Sequence, residues 1–208
     1  MPVSVSVIIV NWNSGNLLAE CVKHVKVQTV QPAQILIVDN ASSDNSLAGI
    51  SEFGANIKLL RLNTNIGFSA ANNFALSECD TDFIVLLNPD VFPAADWLER
   101  LVEAANNHPD VAAFGSRQLS QIDHDILDGT GDIYHVSGLA WRNRHGEKQH
   151  KRDLITREIF SPCAAAALYR RSVLNDVGGF DEDFFCYLED VDIGFRMRLA
   201  GHKSLYVP

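Results

Sequence analysis

The sequence predicts an α/β domain: a mostly parallel, Rossmann-like sheet covered by helices, with an antiparallel extension towards the C-terminus. Three observations predict it. Residues 3–116 alternate short apolar runs with amphipathic stretches, the pattern of successive βα units. The runs are rich in Val, Ile and Leu without strict alternation, as in strands buried on both faces. After Gly115 the pattern gives way to polar stretches with scattered glycines, which suit loops and short antiparallel strands.

Taken in order, residues 3–10 form the first strand, and Leu17, Leu18, Cys21, Val22 and Val25 then fall on one helical face. Residues 35–38, 57–62, 83–87 and 111–114 are the next strands, with Trp97, Leu98, Leu101 and Val102 on a helical face before the last. Beyond them, residues 163–169 read as a strand, 188–200 as a helix ending at Gly201, and 203–207 as a strand cut short at Pro208. There is no internal repeat and no linker, so the sequence predicts one domain over 1–208.

The 208 residues carry 17 Lys and Arg against 26 Asp and Glu, a formal net charge of -9. A broad phosphate-tracking face is therefore not expected, which argues against nucleic acid as a partner. No apolar run approaches the roughly 20 residues of a spanning helix. The N-terminus enters a strand with no basic region or cleavage site, so it reads as mature and cytoplasmic, with at most peripheral contact at the inner face of the plasma membrane. Cys21, Cys79, Cys163 and Cys186 lie far apart and read as reduced thiols, mostly buried, rather than a zinc or redox pair.

Polar stretches follow three strands, at 11–16, 39–44 and 88–90, where open α/β sheets bind ligands. None is a dinucleotide or P-loop glycine motif. Asn88-Pro89-Asp90 sets an amide and a carboxylate on a proline-stiffened turn, oxygens that suit a hard divalent cation whose other ligands are substrate phosphates; the plain alternative is a surface turn. Asp39 can accept from the imide N–H of uracil or thymine, whereas Asp44 reads as structural. Gly67, in Asn65-Ile66-Gly67-Phe68, allows close approach of backbone to a ligand, or simply a turn. Glu189, Asp190 and Asp192 crowd three acids into four positions. Asp192 has Arg196 four residues on, while Asp190 has no such basic partner and is freer to act as a general base; a helix-start carboxylate is the plain alternative. The basic stretch 141–152 reads either as a solvated loop or as a mobile lid meeting a pyrophosphate.

In their order these segments resemble the family 2 glycosyltransferases of GT-A fold, over nearly the whole chain. The carrying residues are Val5-Ser6-Val7-Ile8-Ile9-Val10-Asn11-Trp12-Asn13, Val38-Asp39-Asn40-Ala41-Ser42-Ser43-Asp44, Asn65-Ile66-Gly67-Phe68, Leu87-Asn88-Pro89-Asp90, Gly178-Gly179-Phe180-Asp181-Glu182 and Glu189-Asp190-Val191-Asp192. The Asn-Pro-Asp and Asn-Ile-Gly-Phe forms look most like the bacterial rhamnosyltransferase branch. The resemblance implies a metal-dependent, inverting transfer of a sugar, such as rhamnose, from a UDP- or dTDP-linked donor. The acceptor would be a hydroxyl of a glycan or polyprenyl-linked molecule in cell-surface polysaccharide synthesis. Residues 1–116 would form the nucleotide-binding half and 117–208 the acceptor-binding half.

By the same resemblance Val10, Asn11, Asp39, Asn65, Gly67, Asn72 and Asn88 bind the donor and Asp90 holds Mn or Mg. Asp190 is the catalytic base, and Gly178, Gly179 and Glu189 border the acceptor. Three positions depart from the family pattern. Asn88 stands for the first Asp of the common DxD motif, and Asn72 stands where many members carry Arg. The sequence stops before the position of a metal-binding His, so it reads as truncated; His202 reads as a surface residue. A sugar-phosphate nucleotidyltransferase and a catalytically silent nucleotide-binding module are the rival functions, and the absence of Lys or Arg from 11–16 disfavours the first.

Overall fold

The computed structural model describes residues 3–208. The first five strands fall on the five predicted runs: β1 (Val5–Asn11), β2 (Gln34–Asp39), β3 (Ile57–Arg61), β4 (Phe83–Leu87) and β5 (Val111–Ser116). Short strands follow: β6 (Gln118–Leu119), β7 (Leu127–Gly129), β8 (Asp132–Tyr134), β9 (Ala140–Arg142) and β10 (Arg157–Ile159). β11 (Ala166–Arg170) and β12 (Lys203–Val207) return to the centre. The helices are α1 (Leu17–Lys26), α2 (Phe68–Ser77), α3 (Trp97–Asn107), α4 (Arg171–Asp176) and α5 (Glu189–Leu199).

Eight strands make one sheet in the order β10-β12-β5-β11-β4-β1-β2-β3. β1 pairs in parallel with β2 and β4, β2 with β3, and β12 with β5. β11 lies antiparallel between β4 and β5, and β10 antiparallel to β12 at one edge. The hairpins β6–β7 and β8–β9 stand outside this sheet as the antiparallel extension.

Successive side chains of a strand point to opposite faces, and β1 supplies both cores. Val5, Val7 and Ile9 join Leu18, Val22 and Val25 of α1 and Leu98 and Leu101 of α3 on one face. Ile8 and Val10 join Ala71 and Ala75 of α2, Leu174 of α4, and Ile193 and Met197 of α5 on the other. Each such aliphatic side chain, removed from water, contributes about 1.5–3 kcal/mol. Ser6 breaks the apolar run harmlessly, because its buried hydroxyl meets Thr81 Oγ1 at 2.7 Å and accepts from Gln34 Nε2 at 2.8 Å.

Two expectations are corrected. The strand expected over 163–169 begins only at Ala166; the preceding residues cross the carboxyl edge of β4, where Asn88 N–H donates to Ala165 O. The helix expected from residue 188 begins at Glu189, because Leu188 takes a left-handed conformation, φ 68°. The stretch 141–152 is largely exposed, as in a solvated loop, and is anchored by two arginines. Arg144 is buried and donates to Lys148 O and to Asp153, and Arg142 pairs with Asp128, while Lys148, Lys151 and Arg152 stay exposed. The four cysteines are free, with Cys21, Cys79 and Cys163 buried and Cys186 exposed. Among the described residues no helix is long and apolar enough to cross a membrane.

Candidate active site

The carboxyl ends of β1 and β2 put Asn11 and Asp39 side by side in register. Asn11 is fully buried, and its Nδ2 donates to Asp39 Oδ1 (3.2 Å), Ser42 Oγ (3.0 Å) and Ser46 Oγ (2.9 Å), while its Oδ1 accepts from Ser14 Oγ. Asp39 Oδ1 also accepts from Ser42 N–H, so Oδ1 is committed to the loop and Oδ2 lies outside this network. Asn11 therefore orients Asp39, with its own amide committed to contacts within the protein. Val10 sits in the core facing α2, so only its backbone borders the loop. Asp44 is structural as expected: it accepts from Ser46 N–H and from Gly15 N–H, joining the two polar loops.

The loop before α2 is organised by Asn40, which sequence reasoning passed over. Its Nδ2 donates to Asn65 Oδ1 (2.8 Å) and Gly67 O (3.1 Å), and its Oδ1 accepts from Ile66 N–H (2.9 Å). Asn65 thus has its carbonyl oxygen turned inward. Gly67 has φ 88°, and a Cβ there would lie 2.6 Å from Phe185 O and 2.8 Å from Phe185 Cδ2. The close approach that requires glycine is to this chain's own 184–188 loop. Asn72 is buried on α2 and donates to Phe68 O, one turn back, which holds its amide within the helix.

At the end of β4 the expected pair of oxygens is present. Asn88 Oδ1 is buried with no partner, while the Asp90 carboxylate two residues on is exposed. Among the described residues no three His, Cys, Asp or Glu side chains gather as a metal-binding group. An orphaned carbonyl oxygen beside a free carboxylate fits a hard cation that takes most of its ligands from elsewhere.

Asp190 stands in the first turn of α5 and is buried. Its Oδ2 accepts from Ala164 N–H (3.1 Å) and its Oδ1 from Val191 N–H (2.9 Å), so its carboxyl group is fixed by backbone alone. Ala164 and Ala165 are consecutive, and Ala165 O holds Asn88 N–H at 2.9 Å. Main-chain groups of two successive residues therefore tie Asp190 to the Asn88-Pro89-Asp90 turn. Tyr187 and Leu188, with φ 73° and 68°, turn the chain into α5; left-handed backbone at such bulky residues costs about 1–3 kcal/mol each and persists only where surroundings enforce it. Gly178 and Gly179, both at positive φ, form the turn before Phe180; Gly178 is exposed and Gly179 lies against Asn73.

Two further charged residues reach this end of α5. Asp132 lies opposite Arg142 in the β8–β9 hairpin, with Arg142 Nε 3.7 Å from Oδ1, and Ser161 Oγ donates to its Oδ2 (3.3 Å). Burial, and then the charge of Asp190, push the Asp132 carboxyl up to about 7 against the opposing pull of Arg142 and Ser161. Burial followed by the Asp190 charge also pushes Glu189 up to about 7, and Glu189 Oε2 has no hydrogen-bond partner. Beneath them Tyr169 is fully buried with an unpartnered hydroxyl, raised well above the usual phenol range by that burial and by the neighbouring acids.

These raised carboxyls link stability to pH. In the unfolded chain they release protons near pH 4, whereas in the folded chain they hold them to about 7. Between those values the folded state binds more protons, so stability falls as pH rises through the window, by a few kcal/mol shared between the two groups. Asp44, Asp82 and Asp96, held low by Ser46, by Ser4 and by Arg100, act in the opposite sense and only at more acid pH. Glu189→Gln stays neutral and is expected to flatten the fall in Tm between pH 5 and pH 8. Parallel Tm curves for variant and parent would contradict this electrostatic picture.

A family model described as glycosyl transferase family 2 matches residues 6–178. The N-acetylglucosaminyl-diphospho-decaprenol L-rhamnosyltransferase of Mycobacterium tuberculosis is 28% identical over 224 residues, covering 97% of this chain and 73% of that protein. The O-antigen chain rhamnosyltransferase RfbN of Salmonella typhimurium is 27% identical over 207 residues, covering 97% of this chain and 63% of that one. In structure, the chain is similar to the mannosyltransferase PcManGT from Pyrobaculum calidifontis, solved in complex with GDP-Man and Mn2+. That match has a TM-score of 0.71 and 18% identity, over 98% of this chain and 54% of that one.

Proposed function

Because this chain belongs to glycosyl transferase family 2, we propose that it moves a sugar from a UDP- or dTDP-linked donor to a hydroxyl of a glycan or polyprenyl-linked acceptor, with inversion at the anomeric carbon. The relatives point to rhamnose as the sugar and to cell-surface polysaccharide as the product. The observation that carries the proposal is the Ala164–Ala165 bridge, which holds a buried carboxyl group, Asp190, against the turn that ends in Asp90.

In the proposed reaction the acceptor oxygen attacks the anomeric carbon while Asp190 takes its proton. The bond from that carbon to the diphosphate breaks, and the nucleoside diphosphate leaves with the electron pair. Both oxygens of Asp190 already accept a backbone N–H, which fixes their direction and leaves each a lone pair for the proton. Asp90 and Asn88 Oδ1 would hold Mn or Mg; the bound ion would neutralise charge on the departing diphosphate, so that one protein base suffices. Arg142 offsets the negative charge gathered by Asp132 and Asp190. Gly178, Gly179 and Glu189 border the acceptor in this reading. Residues 1–116 serve the nucleotide and 117–208 the acceptor within one domain, which works at the cytoplasmic face of the membrane.

Asp39, held by Asn11, reads the base. Asp39→Ala is expected to weaken uracil or thymine nucleotides by roughly 1.5–3 kcal/mol, the range for a hydrogen bond to a charged group. Calorimetry in which purine and pyrimidine nucleotides weaken equally would make Asp39 a structural residue.

Thermal shift with UDP, dTDP and GDP, each with and without Mn, tests the whole reading, since a ligand of the native state raises Tm. A pyrimidine nucleoside diphosphate with Mn is expected to raise it most, and donor turnover with a sugar-diphospho-lipid acceptor is expected to follow. No response to any nucleotide would overturn the proposal.

A further inference from the structure

We infer that Asn73, on α2, and Gly67, which precedes its first residue, are positioning residues for Asp190: together they clasp the loop that delivers it. The inference rests on the proposed role of Asp190 as the base.

The loop between α4 and α5 is held to α2 at two points. At the first, Asn73 Nδ2 donates to Phe180 O (2.7 Å) and to Glu182 Oε1 (3.0 Å), while Asn73 Oδ1 accepts from Phe180 N–H (2.9 Å). This pairing of both main-chain groups of one residue by one amide fixes that residue in orientation as well as position. It also explains Gly179, where a Cβ would lie 2.7 Å from Asn73 Oδ1. At the second point, Phe68 N–H donates to Phe185 O (2.6 Å), and the missing Cβ of Gly67 is what lets Phe185 come so near. The Phe68 amide is one of the donors left free at a helix start, so the loop supplies the cap that no side chain gives α2.

From Phe185 only a short segment leads to Asp190, and within it Tyr187 and Leu188 both occupy the left-handed region. Relaxation of that segment is opposed at one end by the α2 clasp and at the other by the Ala164 hydrogen bond to Asp190. Loss of the clasp frees the strained turn to relax, which moves the base relative to the acceptor while the nucleotide contacts at Asp39 stay in place. The same geometry sets the end of the Asn40–Asn65–Gly67 loop of the donor half against the loop before α5, through the hydrogen bond from Phe68 N–H to Phe185 O.

The test uses Asn73→Ala and Gly67→Ala in the full chain. For Asn73→Ala, kcat is expected to fall about 10- to 100-fold with a raised KM for acceptor, the scale of an ångström-sized misplacement. The calorimetric Kd for UDP or dTDP is expected to stay within about threefold, a split that a general loss of folding would not produce. Hydrogen–deuterium exchange is expected to quicken over residues 178–188 in both variants. Exchange there equal to that of the parent overturns the inference. So does a folded Asn73→Ala protein with parental kcat and acceptor KM, or one that loses nucleotide affinity as much as turnover. If the parent itself transfers no sugar, the reading of Asp190 fails, and the exchange comparison still decides whether the clasp holds the loop.

Discussion

Asp190→Asn is expected to lower turnover about 10²- to 10⁴-fold, the usual contribution of a positioned general base, with nucleotide affinity nearly unchanged. The substitution removes the proton acceptor and keeps the shape. Asparagine Oδ1 can still accept from Ala164 N–H or from Val191 N–H, though its amide nitrogen then faces the other donor, a mismatch that costs about 1–3 kcal/mol. Against that loss stands a gain, because the Asp190 charge is the second cause of the raised Asp132 and Glu189 carboxyls, and its removal relieves both. The variant should therefore melt close to the parent near neutral pH, so that a kinetic defect cannot be assigned to unfolding. Steady-state transfer measured alongside calorimetric nucleotide binding decides the matter. Activity within a few-fold of the parent excludes Asp190 as the base.

The strands of the nucleotide half were legible because a strand buried on both faces must be apolar throughout, and a run such as Ile35–Val38 has few other uses. The place of β11 was not, since an alanine-rich segment says nothing of the two strands between which it inserts. Asp39 and Asp90 drew attention for a related reason: each stands at or just past the end of an apolar strand, where a carboxylate has to be explained, whereas Asp190 drew it as one of three acids crowded at a helix start. Asp132 and Asn73 carry no such local signal. Their partners, Ser161 and Phe180, lie 29 and 107 residues away, and only the folded register brings them together. Gly67 shows the intermediate case. Its need for close approach was readable from residue type and context, but the neighbour is Phe185 rather than a ligand.

Asp90→Ala is expected to abolish the part of nucleoside-diphosphate affinity that depends on Mn and to cut turnover about 10²- to 10⁴-fold, since a Lewis acid contributes several kcal/mol to leaving-group stabilisation. The Asn88-Pro89-Asp90 turn is anchored independently of the Asp90 side chain, by Asn88 N–H on Ala165 O and Val91 N–H on Asn88 O, so the backbone should survive the change. What goes is the one carboxylate there, in a turn where the other available ligand is the neutral Asn88 oxygen. That carboxylate already acts on its surroundings: Cys21, packed under the turn with Sγ 3.5 Å from Asn88 O, has its thiol pushed up to about 12 by burial first and then by the Asp90 charge. The proposed nucleoside contact at Asp39 lies two strands away across β1 and should persist without metal. Titrations of UDP and dTDP with and without Mn are therefore expected to differ in the parent and to coincide in Asp90→Ala. Asp90→Asn, which restores an oxygen but not its charge, is expected to fall between them. If Mn strengthens nucleotide binding equally in parent and Asp90→Ala, the ion is held elsewhere, and Asp90 is an ordinary surface carboxylate.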